Sequence, residues 1–186
     1  MLVLSREILA EVQGLLDRVR PAEVEEAYRR ITSAPRVFAY ATGRSGFVLC
    51  GFIMRLNHLG LPAFFVGEAS TPPLRTGDLL VVMSGSGTTA TTLGAAMESV
   101  RHGASVVALV GSRISPLAQI AGAVVELPAP HKRGAAATGA VASQQTAGSL
   151  FEQGCFFLLE TMVMRRHREL GQDTQLALKR HANVEA

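Results

Sequence analysis

The chain has 186 residues, 48% hydrophobic and 18% charged, with 18 Gly and 8 Pro, which suits one compact domain with a substantial core and excludes intrinsic disorder and collagen-like architecture. Eighteen Lys and Arg against fifteen Asp and Glu give a net charge of +3, but the basic residues are dispersed apart from Arg165–Arg168 and His131–Arg133, so an anionic ligand is accommodated and nucleic acid is not expected. Mean hydropathy is +0.25, yet apolar runs such as Leu79–Met83 and Gly154–Leu159 fall far short of the ~20 residues that span a bilayer, which leaves a soluble fold with a sheet buried on both faces and no membrane partner.

Arg6 and Glu7 interrupt the stretch that a signal peptide would keep apolar, so a cytoplasmic location is expected. Ile8, Leu9, Val12, Leu15, Leu16 and Val19 recur at helical spacing, and Pro21 breaks the pattern before Val24, Ala27, Tyr28 and Ile31 resume it. Two helices are predicted within residues 1–34. Val37–Ala41 reads as a strand that runs into the loop Thr42–Gly46, followed by a helix over Phe47–Leu59 closed by Gly60. Ala63–Val66 is a second strand. Leu79–Met83 leads through Ser84–Thr89 into a helix reaching about His102, and Ser105–Val110 leads through Gly111-Ser112 into a short helix at Ser115–Ala121. Ala123–Leu127 supplies a fifth strand. Pro128–Ala147, rich in Ala, Gly, Ser and Thr, is too long for an ordinary connection and reads as a flap or subunit contact. A long helix from Ser149 to about Leu170 follows, then a tail over 171–186. The expected organisation is a single domain over 1–186, with N-terminal helices (1–34), sheet and helices (35–170) and the tail.

Short apolar strands alternating with helices need crossover connections, so the economical architecture is a parallel sheet of about five strands with helices on both faces. Ligands then gather at the carboxyl ends of the strands. Cys50 and Cys155 lie far apart with no CxxC or Cys/His cluster, so neither a disulfide nor a structural metal is expected.

Ser84–Thr89 is the most informative segment. Gly85 and Gly87 let main-chain N–H groups approach an anion, the following helix N-terminus adds partial positive charge, and the hydroxyls of Ser84, Ser86, Thr88 and Thr89 supply neutral donors. The plainer reading is a tight turn with Ser or Thr as helix cap. Gly85-x-Gly87-x-x-Ala90 also satisfies a loose dinucleotide fingerprint, but Gly111, Ser112 and Arg113 stand where an NAD site wants an acid; Arg113 could serve a 2′-phosphate instead. The Walker lysine pattern is absent. Thr42–Gly46, with Gly43, Arg44 and Ser45, is a second donor-rich loop that could converge on the same ligand, although Arg44 could equally pair with a nearby acid.

Glu152 opens an otherwise apolar helix, and its i+3, i+4 and i+7 neighbours are Cys155, Phe156 and Leu159. Burial favours the neutral form of a carboxylate, which suits a general base working near neutral pH. Ser149-x-x-Glu152 is equally a capping box, in which the carboxylate only satisfies a main-chain donor. Both readings stand at this level. Of the histidines, His102 and His167 suit helix ends and solvated surface, His58 is uninformative, and His131 lies in the flap. His181, close to the end of the chain, is a catalytic candidate only if the tail reaches a neighbouring subunit.

Several segments together resemble a known family: Gly43-Arg44-Ser45-Gly46, Met54-Arg55-Leu56-Asn57-His58-Leu59-Gly60, Val66-Gly67-Glu68, Thr71-Pro72, Gly77-Asp78-Leu79-Leu80, Ser84-Gly85-Ser86-Gly87, Gly148-Ser149-Leu150-Phe151-Glu152-Gln153 and His181-Ala182-Asn183. They are similar to the 6-phospho-3-hexuloisomerase family of the sugar isomerase (SIS) superfamily. The resemblance runs from about Arg36 to the C-terminus. It implies a five-stranded three-layer α/β/α sandwich, a homotetramer with shared active sites, and interconversion of 3-hexulose 6-phosphate with fructose 6-phosphate in formaldehyde fixation, next in the pathway to 3-hexulose-6-phosphate synthase. It implies no metal or organic cofactor. By resemblance, Ser45 and the Ser84–Thr89 loop bind the sugar phosphate, Glu152 matches the base, and His181 matches a terminal histidine that reaches a partner's site. The sequence departs from the family at Thr88, where glutamate is usual, at Asn57, where methionine is common, and at Thr146-Ala147, where Pro-Met is usual.

Other readings are a SIS isomerase acting on an aldose phosphate, a non-catalytic sugar-phosphate sensor, and an NADP-dependent oxidoreductase. The sensor would carry a helix-turn-helix ahead of the domain, and about 35 residues without a recognition-helix signature are too few for it.

Overall fold

The computed structural model describes residues 1–130, 142–171 and Arg180. In chain order the elements are α1 (Leu2–Leu16), α2 (Pro21–Ser33), β1 (Val37–Tyr40), α3 (Arg44–His58), β2 (Ala63–Phe65), β3 (Leu79–Ser84), α4 (Ala90–Arg101), β4 (Ser105–Val110), α5 (Pro116–Ile120), β5 (Ala123–Glu126) and α6 (Ser149–Glu169). The strands form one five-stranded sheet in the order β2-β1-β3-β4-β5, parallel throughout, with Val37 opposite Leu79, Leu79 opposite Ser105 and Val107 opposite Ala123.

Strand side chains alternate between two cores. Leu79, Val81 and Met83 face the layer of α1, α2, α3 and α6, where they join Leu15, Ile31, Leu49, Phe151 and Leu159. Leu80 and Val82 face the opposite layer, beside Phe38 of β1, and join Ala96 of α4 and Leu117 of α5. All six residues of β3 are buried, as the centre of a sheet covered on both faces requires. This is the expected α/β/α sandwich.

Two polar contacts set strand ends. Buried Asp78 accepts from Arg36 Nε at 2.9 Å and from the Arg75 main-chain N–H at 2.6 Å, which fixes where β3 begins. Asn57 donates to the Ala63 carbonyl at 2.8 Å and accepts the Ala63 N–H at 3.1 Å, tying the edge strand β2 to the end of α3. At the far end of α6, Glu169 accepts from Tyr28 and from Arg165 Nε at 2.8 Å, while the Arg165 guanidinium lies 4.2 Å from the Tyr28 ring centroid.

Two predicted boundaries and one predicted cap move in ways that bear on the site. α3 begins at Arg44, three residues before the predicted start, because Gly43 turns the chain at φ +63°; Arg44 and Ser45 therefore sit on a first helical turn and not in a loop. β3 runs on to Ser84. α6 takes Gly148, at φ +95°, as its N-cap, which makes Ser149 its first helical residue. Most of the predicted flap, His131 included, and the tail carrying His181 lie outside the described residues.

Candidate active site

A cleft of about 270 Å³ opens at the carboxyl ends of β1 and β3. These neighbours send their following helices in opposite directions, to β2 on one side and β4 on the other, so the cleft occupies the switch point where open α/β sheets bind ligands. Thr42, Gly43, Arg44 and Ser45 line one wall, Met83, Ser84, Gly85, Ser86 and Thr89 the second, and Gly148, Phe151 and Glu152 the third.

The second wall is braced from beneath. Buried Ser84 shares a 2.9 Å hydrogen bond with the Thr89 hydroxyl and accepts the Gly87 N–H at 3.1 Å. Gly87 adopts φ +61°, and a Cβ there would stand 2.2 Å from Ser115 Oγ; only glycine lets the loop rest on the start of α5. The Gly111 N–H donates to the Gly85 carbonyl at 3.0 Å. Thr89 is the N-cap of α4 but makes no side-chain cap bond, so the first-turn N–H groups of α4 have no capping side chain and remain available to an anion. Ser86 accepts from the Thr88 N–H at 3.3 Å and the Thr88 hydroxyl at 3.0 Å. Gly87 and exposed Thr88 do not line the cleft, whereas Gly43, Arg44, Ser45, Ser84, Gly85, Ser86, Thr89 and Glu152 come together there.

Glu152 is the fourth residue of α6 and only 8% exposed. With Gly148 as N-cap, the capping box predicted from Ser149-x-x-Glu152 does not form: α6 has no side-chain cap bond, and the Glu152 N–H makes an ordinary helical bond to the Gly148 carbonyl at 3.1 Å. Its carboxylate is approached instead by Arg44, with Nε 2.5 Å from Oε2. That N–H is not aimed at the oxygen, so Oε2 accepts no hydrogen bond among the described residues although it is buried. The contact is an ion pair with a cation whose side chain is 62% exposed, one that a substrate oxygen can displace. One turn on, burial and then the Glu152 charge push the Cys155 thiol well above its usual range, so it is neutral.

Arg113 is committed elsewhere. Its N–H donates to Glu126 Oε1 at 3.0 Å, its Nε to Oε2 at 3.3 Å, and its guanidinium also pairs with Glu23. The cation that an NADP reading needs is thus already neutralised. Among the described residues no group of three His, Cys, Asp or Glu could hold a metal ion, and no helix is long and apolar enough to cross a membrane. Cys50 and Cys155 are free thiols.

Residues 30–151 match the SIS domain pattern. The chain belongs to the SIS domain family. A Mycobacterium gastri relative named 3-hexulose-6-phosphate isomerase is 39% identical over 175 residues, which is 94% of this SIS chain and 86% of the relative. One of the same name from Bacillus subtilis is 31% identical over 179 residues, 96% of each chain. A solved structure from Methanococcus jannaschii, at 24% identity, superposes with a TM-score of 0.81 over 96% of this chain and 97% of the other, which shows the same SIS fold. Thr42 lines the SIS cleft as part of the predicted Thr42–Gly46 loop, whereas Met83, Gly148 and Phe151 are not singled out as site residues by the sequence. Gly148 and Phe151 carried a usable signal, a glycine ahead of a helix and an aromatic beside the carboxylate; Met83 lines the cleft simply by its place near the end of β3.

Proposed function

We propose that this SIS protein interconverts 3-hexulose 6-phosphate and fructose 6-phosphate through an enediolate, with Glu152 as the base. The observation that carries the reading is a buried carboxylate, bound by no cap and no directed hydrogen bond, on the wall facing a loop rich in anion donors. The relatives named 3-hexulose-6-phosphate isomerase supply the substrate class.

Moving the ketone from C3 to C2 needs the C2 proton taken by the base and returned to C3, with the enediolate charge held on the C3 oxygen until that oxygen takes up the proton of the C2 hydroxyl, which becomes the carbonyl. One carboxylate serves both transfers. Arg44, already beside Glu152, is placed to hold the enediolate oxygen once substrate separates the pair. Ser86, Gly85 and the α4 N-terminus receive the phosphate, with Ser45 across the cleft on the turn that Gly43 sets, Ser84 and Thr89 keeping the phosphate loop in shape, and Gly87 and Thr88 setting its turns. A 3-ketose phosphorylated on O6 cannot close a furanose through that oxygen, so ring opening concerns mainly the fructose 6-phosphate direction. There we assign His181, from a neighbouring chain, to assist. The enzyme is then a cytoplasmic homotetramer needing no cofactor, fed by 3-hexulose-6-phosphate synthase.

The deciding experiment couples consumption of 3-hexulose 6-phosphate to detection of fructose 6-phosphate; absence of conversion by pure protein would end the reading. Mixing the inactive variants Glu152→Gln and His181→Ala under subunit exchange tests the shared site. Recovery of part of the activity is expected, and demonstrated exchange without recovery would put both residues in one chain or leave His181 outside the mechanism.

A further inference from the structure

Glu11, on α1, makes a contact that the cleft itself does not explain. Its carboxylate accepts the Ser143 hydroxyl at 2.6 Å, the Gln144 main-chain N–H at 3.0 Å and the Gln145 side-chain amide at 2.9 Å. The Gln145 N–H in turn donates to Ser143 Oγ at 3.1 Å. Three donors from three successive residues on one carboxylate fix the chain at this point. Beyond it the Thr146 carbonyl accepts the Ser149 N–H at 2.9 Å, and the Gly148 carbonyl accepts the Glu152 N–H at 3.1 Å. The clasp is thus linked by two further hydrogen bonds to the turn of α6 that carries the base.

α1 can bear the load. Val12 and Leu15 are buried, and a Cβ on Gly154, two residues after Glu152, would stand 2.6 Å from Leu15 Cδ2. The helix holding Glu11 therefore packs directly on the helix holding Glu152, and their offset is fixed at two places, one apolar and one polar. Ser143 foremost, these donors hold the Glu11 carboxyl below the usual carboxylate range, so the clasp is charge-assisted at neutral pH.

We infer that Glu11 is a positioning residue: through Ser143, Gln144 and Gln145 it sets where α6 begins, and so where the Glu152 carboxylate stands in the cleft. This rests on reading Glu152 as the base. A purely structural tie would lower stability alone, whereas a positioning contact changes proton transfer, since small misplacements of a reacting group are costly.

The test uses full-length Glu11→Ala, Glu11→Gln, the pair Ser143→Ala with Gln145→Ala, and all three alanines together. Glu11→Ala should lower kcat about tenfold with KM for fructose 6-phosphate changed less than about twofold, and should enlarge the kinetic isotope effect on fructose 6-phosphate deuterated at C3. Glu11→Gln, which keeps an acceptor oxygen, should recover part of kcat. The triple variant should be no slower than Glu11→Ala, because one contact is removed either way. Wild-type kcat and isotope effect in Glu11→Ala, or losses that multiply in the triple variant, would overturn the inference. Amide hydrogen exchange over residues 144–152 decides independently of turnover: faster exchange in Glu11→Ala supports the clasp, and unchanged exchange defeats it. Were the wild type inactive, the isomerase reading would fail while that arm still judged whether Glu11 holds the start of α6.

Discussion

Glu152→Gln keeps the size and shape of the side chain and removes its ability to take a proton. On the stability side little is at stake. No cap is lost, and the ion-pair partner Arg44 has a side chain 62% exposed, so the pair is worth at most about 1 kcal/mol, against which the neutral amide escapes part of the desolvation cost of a buried charge. For a chain of this size that corresponds to a Tm shift of no more than about 4 °C. On the activity side the loss of a general base costs about 10²–10⁴-fold, or roughly 3–5 kcal/mol of transition-state stabilisation. The two effects are thus well separated. Differential scanning fluorimetry with and without fructose 6-phosphate gives the first, and the coupled isomerase assay gives the second. A variant that retains activity within about threefold of wild type would refute the assignment of the base, and one that loses activity together with more than about 10 °C of Tm would return Glu152 to a structural role.

Further outcomes follow from neighbouring geometry. Ser86→Ala should weaken binding of fructose 6-phosphate and of inorganic phosphate about tenfold, roughly the worth of one hydrogen bond to a charged group, while fructose itself is unaffected; equal weakening of fructose would argue against a phosphate cradle in isothermal titration. Gly111→Ala places a Cβ 2.4 Å from the Gly85 carbonyl oxygen and should displace the loop and weaken phosphate binding, whereas Gly94→Ala, on α4 with nothing within 4 Å, should gain about 1 kcal/mol of helix propensity and raise Tm by about 2–4 °C. Reversal of those signs in thermal melts and titrations would contradict the packing. Burial, and then the hydrogen bond to Glu169, push the Tyr28 hydroxyl up to about 12, against about 10 in an unfolded chain. Its contribution is therefore complete below about pH 10 and lost as pH rises towards 12, so the stability gap between wild type and Tyr28→Phe in urea unfolding should close over that window; a gap constant to pH 12 would rule out the coupling.

The central strands were legible because burial on both faces leaves an unbroken apolar signature, as in Leu79–Met83 and Ser105–Val110. The start of α3 was not, since the positive φ of Gly43, not any residue preference of Arg44 or Ser45, decides that the helix begins there. Glu152 was ambiguous because a shift of one residue in the N-cap, from Ser149 to Gly148, separates a capping carboxylate from a free one. Glu11 carried no local signal at all: its partners lie more than 130 residues away in sequence, and only the packing of α1 on α6 brings them together. The same holds for Arg113, whose availability to a ligand depends on Glu23, 90 residues earlier. Asn57, a departure from the resembled family, proves to hold the edge strand through the main chain of Ala63.

Gly43, Thr89 and Gly148 precede α3, α4 and α6 as their N-caps, none with a side-chain cap bond, and all three border the same cleft. The pull on an anion is then exerted largely by peptide dipoles, which neither gain nor lose protons between acid and alkaline conditions. A site built this way keeps its attraction constant while its contents titrate. The cradle should consequently add no ionisation of its own to phosphate binding, so titrations of fructose 6-phosphate against pH should report the second ionisation of the substrate phosphate, near about pH 6.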